Sequence, residues 1–176
     1  MAEALRAAMP LEIVMMADGT KPDSTLAEIE RRARESKVRL KRVPKRELDA
    51  NSERGAHQGV MAMAAPFVFT PVEQVIASAA DKQRALVIAL DQVTDPGNLG
   101  AVVRSAEVVG AEAVLMAKRR SAAVTPHAHK ASAGAIAHVP IIQETNLVRT
   151  LERFKEAGFW VAGASEQAEQ TAWDAP

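Results

Sequence analysis

Apolar residues along this chain fall into two regimes. Short unbroken runs, LEIVMMA (Leu11 to Ala17), ALVIAL (Ala85 to Leu90), AEAVLMA (Ala111 to Ala117) and VPII (Val139 to Ile142), are separated by stretches in which apolar positions recur every three or four residues. A short continuous run suits a buried strand, and the longer spacing suits an amphipathic helix.

In the first part of the chain, LEIVMMA predicts a strand, and DGTKPDS supplies the turn behind it. Ser24 is placed to cap a helix running to about Ser36, with Glu28 in its first turn, where the helix dipole favours an acid. KVRLKRV alternates basic and apolar residues with period two, which predicts a half-buried strand with a basic outer face. Pro44 and KRELDANSERG predict a short helix and loop, and HQGVMAMAAPFVF (His57 to Phe69) predicts a strand leaving this small unit. TPVEQVIASAADKQR has helical spacing and serves as linker or as first helix of the next unit, so the boundary falls near Thr70 to Gln83.

The second part is more regular. ALVIAL reads as a strand covered on both faces, Asn98 to Val109 as a helix, AEAVLMA as a strand, Ala128 to Ile136 as a small-residue helix and VPII as a third strand. A helix from Asn146 to Gly158 and a strand FWVAGAS (Phe159 to Ser165) follow. Alternating strands and helices predict an α/β fold with a parallel sheet and right-handed crossovers, in which ligands sit beyond the carboxyl ends of the strands. The loop after Ser165 falls in that region.

Composition narrows the picture only slightly. Among 176 residues, 48% are hydrophobic, 25% are charged and none is cysteine, which excludes disulfides and thiolate metal sites and makes the cytoplasm the default address. The opening residues lack the pattern of a signal peptide, and no apolar run is of membrane-spanning length. Lys plus Arg equal Asp plus Glu at 22 each, so net charge is uninformative, but its distribution is not. Between Arg31 and Arg46, the bases Arg31, Arg32, Arg34, Lys37, Arg39, Lys41, Arg42, Lys45 and Arg46 face Glu35 alone within that window; Lys118, Arg119 and Arg120, with Lys130 beyond, form a second cluster. A solvated helix face explains one such cluster, whereas two favour phosphate contacts.

Candidate chemistry is sparse. DPGNLG places Gly97 and Gly100 between strand and helix, but neither G-x-G-x-x-G nor G-x-x-x-x-G-K-[ST] is present, which argues against a dinucleotide-binding dehydrogenase and a P-loop enzyme. His127 and His129 form H-x-H, which a strand would point to one side, yet no carboxylate lies near them in sequence, and no metal site is expected. His57 and His138 have no partner that the sequence identifies. Ser132 lies outside any G-x-S-x-G elbow, and its neighbours Ala131, Ala133, Gly134 and Ala135 suit close helix packing instead. Arg104 lies one step off the stripe formed by Leu99, Val102, Val103, Ala106 and Val109. It is open to two readings: a rim salt bridge with Glu107 or Glu112, worth about 0 to 1 kcal/mol, or a permanently charged group in a site.

LDQVTDPGNLGAVVRSAEVVGAEAVLM closely resembles the first signature of the SpoU (TrmH-type) branch of the SPOUT RNA 2'-O-ribose methyltransferases. KASAGAIAHVPIIQETNLVRTLERFKEAGFWVAG continues the likeness, and HQGVMAMAAP resembles the join to a substrate-binding domain, so the resemblance covers nearly the whole chain from about Ala4. It implies a small L30e-like α/β domain over residues 1–70 with its opening strand clipped, a linker over 71–83, and the amino-terminal part of an α/β-knot (SPOUT) parallel-sheet domain over 84–176. The implied activity is methyl transfer from S-adenosylmethionine to a ribose 2'-hydroxyl of ribosomal RNA, nearest to members acting on a large-subunit guanosine, with tRNA as an alternative substrate and a homodimer as the assembly. Asn98 and Arg104 match the active-centre positions of the signature. Arg31, Arg32, Arg39, Lys41, Arg42, Lys118, Arg119, Arg120 and Lys130 are the expected RNA contacts. The family's later signatures, which form the knotted cofactor pocket and much of the dimer interface, do not occur before Pro176. Cofactor-binding residues are therefore unassigned, and residues 1–176 alone are expected to have no folded knot, to bind the cofactor weakly or not at all, and to be inactive. Two other classes remain open: a non-catalytic RNA-binding protein, and a small-molecule enzyme on a Rossmann-like sheet.

Overall fold

The computed structural model describes residues 1–7, 9–20, 23–52, 57–82, 84–169 and 171. A helix α1 (Ala2–Arg6) precedes strand β1 (Leu11–Ala17), helix α2 (Ser24–Glu35), strand β2 (Arg39–Val43), helix α3 (Lys45–Asn51) and strand β3 (Val60–Ala64). β1 is the middle of a three-stranded sheet, parallel to β2 from Ile13 opposite Arg39 to Ala17 opposite Val43, and antiparallel to β3. Successive strand residues point to opposite faces. Val14 and Met16 therefore pack with Leu5, Leu26, Ile29 and Ala33 of α1 and α2. Met15, Ala17 and Val43 pack with Leu48 of α3 on the other side.

The second unit holds β4 (Val87–Leu90), α5 (Pro96–Val108), β5 (Ala113–Ala117), α6 (Pro126–Ala131), a 3-10 turn (Ala135–Ala137), β6 (Ile141–Glu144) and α7 (Leu147–Glu156). Its strands are all parallel, in the order β4-β5-β6. α5, α6 and the 3-10 turn cover Val114 and Met116 on one face. Helix α4 (Val72–Ala79) covers Ala113 and Leu115 on the other with α7, through Val72, Val75 and Phe154. Of the two forms expected for TPVEQVIASAADKQR, α4 thus takes the second, as first helix of the second core; Gln83 lies outside the described residues. Among the described residues, no helix is long and apolar enough to cross a membrane.

Several local expectations need correcting. α2 is capped by Asp23, whose carboxylate accepts from Leu26 N–H at 2.7 Å, so Ser24 lies inside the first turn. α5 begins at Pro96, before Asn98, because proline's fixed φ and missing N–H suit the first helical position; Asp95 caps it. The helix expected over Ala128 to Ile136 breaks at Ala133 (φ 52°) and Gly134 (φ 103°) and resumes as the 3-10 turn. ALVIAL is covered on both faces only in part: Ile88 and Leu90 pack into the core on one side and Val87 into the core on the other, while Ala89 is exposed, and β4 is a sheet edge with β5 in the enclosed position. The strand in HQGVMAMAAPFVF is confined to Val60–Ala64. FWVAGAS forms no strand: Phe159 to Ser165 pair with no described strand, and Trp160 is 94% exposed. An apolar run becomes a strand only where a ladder partner accepts its backbone groups.

Candidate functional site

The carboxyl ends of β4 and β5 lead into two loops, Asp91 to Asp95 and Lys118 to Thr125, tied together by Ala122 N–H donating to the Val93 carbonyl at 2.8 Å. β5 and β6 are joined at the same edge by Lys118 N–H donating to the Glu144 carbonyl at 2.8 Å. Both loops end in side-chain caps. Asp95 accepts from Asn98 N–H at 2.7 Å, and Thr125 accepts from Ala128 N–H at 3.3 Å, so α5 and α6 start side by side. Their approach is close. A Cβ on Gly100 would stand 2.5 Å from the Ala128 carbonyl oxygen and 2.7 Å from Ala131 Cβ. Ser132 is buried against this contact, its hydroxyl donating to the His129 carbonyl at 2.9 Å. It is a packing residue, as its small neighbours suggest.

Arg104 lies one turn beyond Gly100 on the same flank of α5, exposed and with no hydrogen bond or ion pair among the described residues. Neither rim bridge, to Glu107 or to Glu112, forms among the described residues, and Glu112 pairs instead with Lys82 at 2.6 Å. Asn98 is also exposed, but six helical residues place it about 120° around the axis from Arg104 and about 9 Å along it. The structure therefore puts the two on one helix without bringing them into contact. Lys118, Arg119, Arg120 and Lys130 are exposed and likewise unpaired among the described residues.

The first basic cluster is less free than its sequence suggests. Arg31 pairs with Glu35 at 2.6 Å, Arg32 with Glu28 at 2.8 Å, Arg34 with Glu30 at 3.7 Å, Arg42 with Glu30 at 2.6 Å and Lys41 with Glu47 at 3.0 Å. The expectation that Glu35 alone faces these bases is thus corrected, since three of the acids lie outside the Arg31 to Arg46 window. β2 also carries bases on both faces: Arg42 reaches α2, and Lys41 reaches α3. Arg39, Lys37, Lys45 and Arg46 are without such partners among the described residues.

Two interactions carried no sequence signal. His57 Nε2 lies 2.8 Å from Asp49 Oδ1 while its Nδ1 accepts from Gly59 N–H at 2.9 Å. His138 Nε2 meets Glu3 Oε1 at 2.9 Å across 135 residues of chain. Glu3 also pairs with Arg6, which bridges to Glu28 and so to Arg32. His138 and then Arg6 hold the Glu3 carboxyl below its ordinary value, and Arg32 and then Arg6 do the same for Glu28. His127 and His129 sit on α6, not on a strand, so their rings diverge around the helix. His129 packs edge-on to Phe67, and burial lowers its pKa. Among the described residues, no group of acids and histidines is arranged to hold a metal ion.

Residues 85–175 match the SpoU rRNA methylase family, and residues 2–70 match the RNA 2'-O ribose methyltransferase substrate-binding family. The chain belongs to the SpoU rRNA methylase family. An uncharacterized tRNA/rRNA methyltransferase of Mycobacterium avium (strain 104) is 38% identical over 169 residues, covering 96% of this chain and 55% of the relative. A putative TrmH family tRNA/rRNA methyltransferase of Staphylococcus haemolyticus is 45% identical over 133 residues, covering 75% of this chain and 53% of the relative. The chain thus spans about half the length of these curated relatives. In fold it resembles the SpoU methyltransferase AviRb from Streptomyces viridochromogenes, solved with the cofactor AdoMet (TM-score 0.65, 20% identity, 89% of this chain and 58% of that one). A crystal structure of an RNA 2'-O ribose methyltransferase is a further match (TM-score 0.67, 24% identity, 98% and 62%). In this SpoU chain, the paired loops, α5 and Arg104 all fall within the methylase match, and the β2–α3 basic surface falls within the substrate-binding match.

Proposed function

We infer that the protein carrying this chain transfers a methyl group from S-adenosylmethionine to a ribose 2'-hydroxyl of ribosomal RNA, a large-subunit guanosine being the preferred target and tRNA the alternative. The observation that carries this reading is Arg104, a solvent-facing guanidinium with no protein partner among the described residues, on a helix inside the methylase match. A guanidinium stays charged throughout the physiological range and presents a fork of donors suited to phosphate oxygens. Arg104 holds the phosphate beside the target ribose and stabilises charge developing on the attacking oxygen, while another group accepts the proton. The exposed Asn98 amide orients the same nucleotide by hydrogen bonding.

The cofactor, when bound, supplies an electrophilic methyl on a sulfonium. The joined loops Asp91 to Asp95 and Lys118 to Thr125 suit it in position, at the carboxyl edge of a parallel sheet, and would hold it through backbone donors and acceptors. Lys118, Arg119, Arg120 and Lys130 meet RNA phosphates near this edge, and Arg39 does so on the small unit, with Arg31, Arg32, Lys41 and Arg42 exchanging carboxylates for phosphates. Exposed Val108, Val109 and Leu86 offer apolar surface for the homodimer, and the site of action is the cytoplasm.

Labelled S-adenosylmethionine incubated with unmodified ribosomal RNA and tRNA, using this chain and a version extended past Pro176, tests the reading. Label entering ribosomal RNA supports it. RNA binding by the extended version without transfer of label to either RNA would favour a non-catalytic binder.

A further inference from the structure

Two cavities separate the small unit from the methylase unit. One, of about 580 Å³, reaches from Pro66 to His138. The other, of about 1020 Å³, opens beyond Glu3 and Gly134. Met9, His129 and Ala137 line both, so one gap runs between the units, and α1 reaches across it.

By its packing α1 belongs to the small unit. Leu5 is buried with Leu26 and Ile29 of α2, and Arg6 donates to both oxygens of Glu28, at 2.9 and 3.0 Å. Glu3 nevertheless crosses to the methylase unit. Its Oε1 lies 2.9 Å from His138 Nε2, and its Cγ is seated against Gly134, 2.6 Å from where a Cβ there would stand. Glycine suits this seat twice over, since it has no side chain to collide with Glu3 and tolerates the φ of 103°. His138 is held on its own side by donating its backbone N–H to the Ala135 carbonyl at 2.9 Å, with Ile136 and Val139 buried around it in sequence.

The chain connection lies at the opposite end of the first cavity. Ala65 N–H donates to the Pro10 carbonyl at 2.9 Å and so stays with the small unit. Phe67 and Phe69 pack on the methylase core, and Thr70 N–H donates to the Ile141 carbonyl at 2.8 Å. Pro66 stands between the two attachments. Proline fixes its own φ and keeps the residue before it extended, so the joint can turn about few bonds.

We propose that the two units swing about Pro66 and that the Glu3–His138 pair, seated on Gly134, is the clasp that holds them closed. The two side chains are 36% and 38% exposed, so the pair biases the closed arrangement by about twofold to fivefold and no more. A clasp this weak releases whenever a ligand binds the open arrangement a few times more tightly than the closed one. Its consequence for methyl transfer rests on the proposed function, because the clasp sets how far the substrate-binding match stands from Arg104; the clasp itself does not depend on that reading.

The chain contains no cysteine, so cysteines introduced at Arg46 and Glu107, both exposed and unpaired among the described residues, are the sole attachment points for two spin labels on the 176-residue chain. Pulsed electron spin resonance should give one main distance between the units. Glu3→Ala and His138→Ala should each raise the share of a second distance about twofold to fivefold, and the double variant should do no more than either alone, because both break one pair. His138→Ala leaves the Glu3–Arg6 bridge of α1 in place, so it reads the clasp apart from the helix. Pro66→Gly should widen the second distance by freeing the joint. Parent distances retained in His138→Ala, or a double variant whose shift is the product of the two single shifts, would overturn the clasp, and widths unchanged by Pro66→Gly would overturn the hinge. The methyl-transfer assay is independent of these distances, so the two readings fail separately.

Discussion

Arg104 is exposed and unpaired among the described residues, so its side chain contributes little to the folded state, where surface substitutions stay within about 0.5 kcal/mol. Arg104→Ala in the complete protein should therefore leave the unfolding midpoint unchanged while lowering methyl transfer about 10²- to 10³-fold, the usual cost of removing one donor to developing charge. Parallel calorimetric and methyl-transfer measurements check both halves. The resemblance to the SpoU signature singles out this residue, whereas spacing alone left a salt bridge with Glu107 or Glu112 open. Arg104 meets neither among the described residues, and the Glu112 carboxylate is held by Lys82, 30 residues before Glu112 in sequence. Pairings of this kind depend on tertiary approach and have no local signature.

At the scale of elements, the α5–α6 contact fixes the loops of the candidate site. Gly100→Ala would drive a methyl group into backbone, the Ala128 carbonyl at 2.5 Å and Ser132 N at 2.9 Å, and should destabilise by about 1 to 3 kcal/mol in urea unfolding. Gly97→Ala meets the side chains of Asp95 and His127, at 2.9 and 3.0 Å, which can move aside, so its cost should be the smaller of the two. Asp95→Ala removes the cap of α5 and should cost about 1 kcal/mol. Runs such as AEAVLMA and the helix from Asn146 were legible because periodicity and capping are local properties. Which strand lies at an edge was not legible, and β4 and FWVAGAS show why: an apolar run is the same string whether or not a partner ladder and a covering helix meet it. Asp23 and Asp95 could have been found, since each directly precedes a helix and stands three residues before the N–H it accepts from, that of Leu26 in one case and of Asn98 in the other.

Across the whole molecule, α1 links the two units: Glu3 meets His138, and Gly134 lies so close that a Cβ there would come within 2.6 Å of Glu3 Cγ. The Glu3 carboxyl is held below 4.5 by His138 first and Arg6 second, so its stabilising contribution is complete above pH 4.5 and is lost as pH falls through the folded-state value. His129 titrates below 6.5 because burial disfavours its charged form, so stability should begin to decline as pH falls below 6.5, where the unfolded chain takes up the proton first. Urea midpoints measured from pH 7 to pH 3 should show both declines, and Glu3→Gln should make the lower one shallower, the part due to Glu28 remaining; a Glu3→Gln profile parallel to wild type would contradict the link between units. The basic stretch from Arg31 to Arg46 belongs to this scale only in part: Glu28 and Glu30 stand one turn before Arg32 and Arg34 within α2 and were open to reading from helical spacing, whereas the Arg42–Glu30 and Lys41–Glu47 pairs form only when β2 packs against α2 and α3.

The central claim concerns where the methyl group goes. A 2'-O-methyl blocks alkaline cleavage of the adjacent phosphodiester, so ribosomal RNA labelled by the complete protein should release its label in alkali-stable dinucleotides, and Arg104→Ala should lower that fraction about 10²- to 10³-fold. Label recovered in mononucleotides, or an alkali-stable fraction undiminished by Arg104→Ala, would contradict the account.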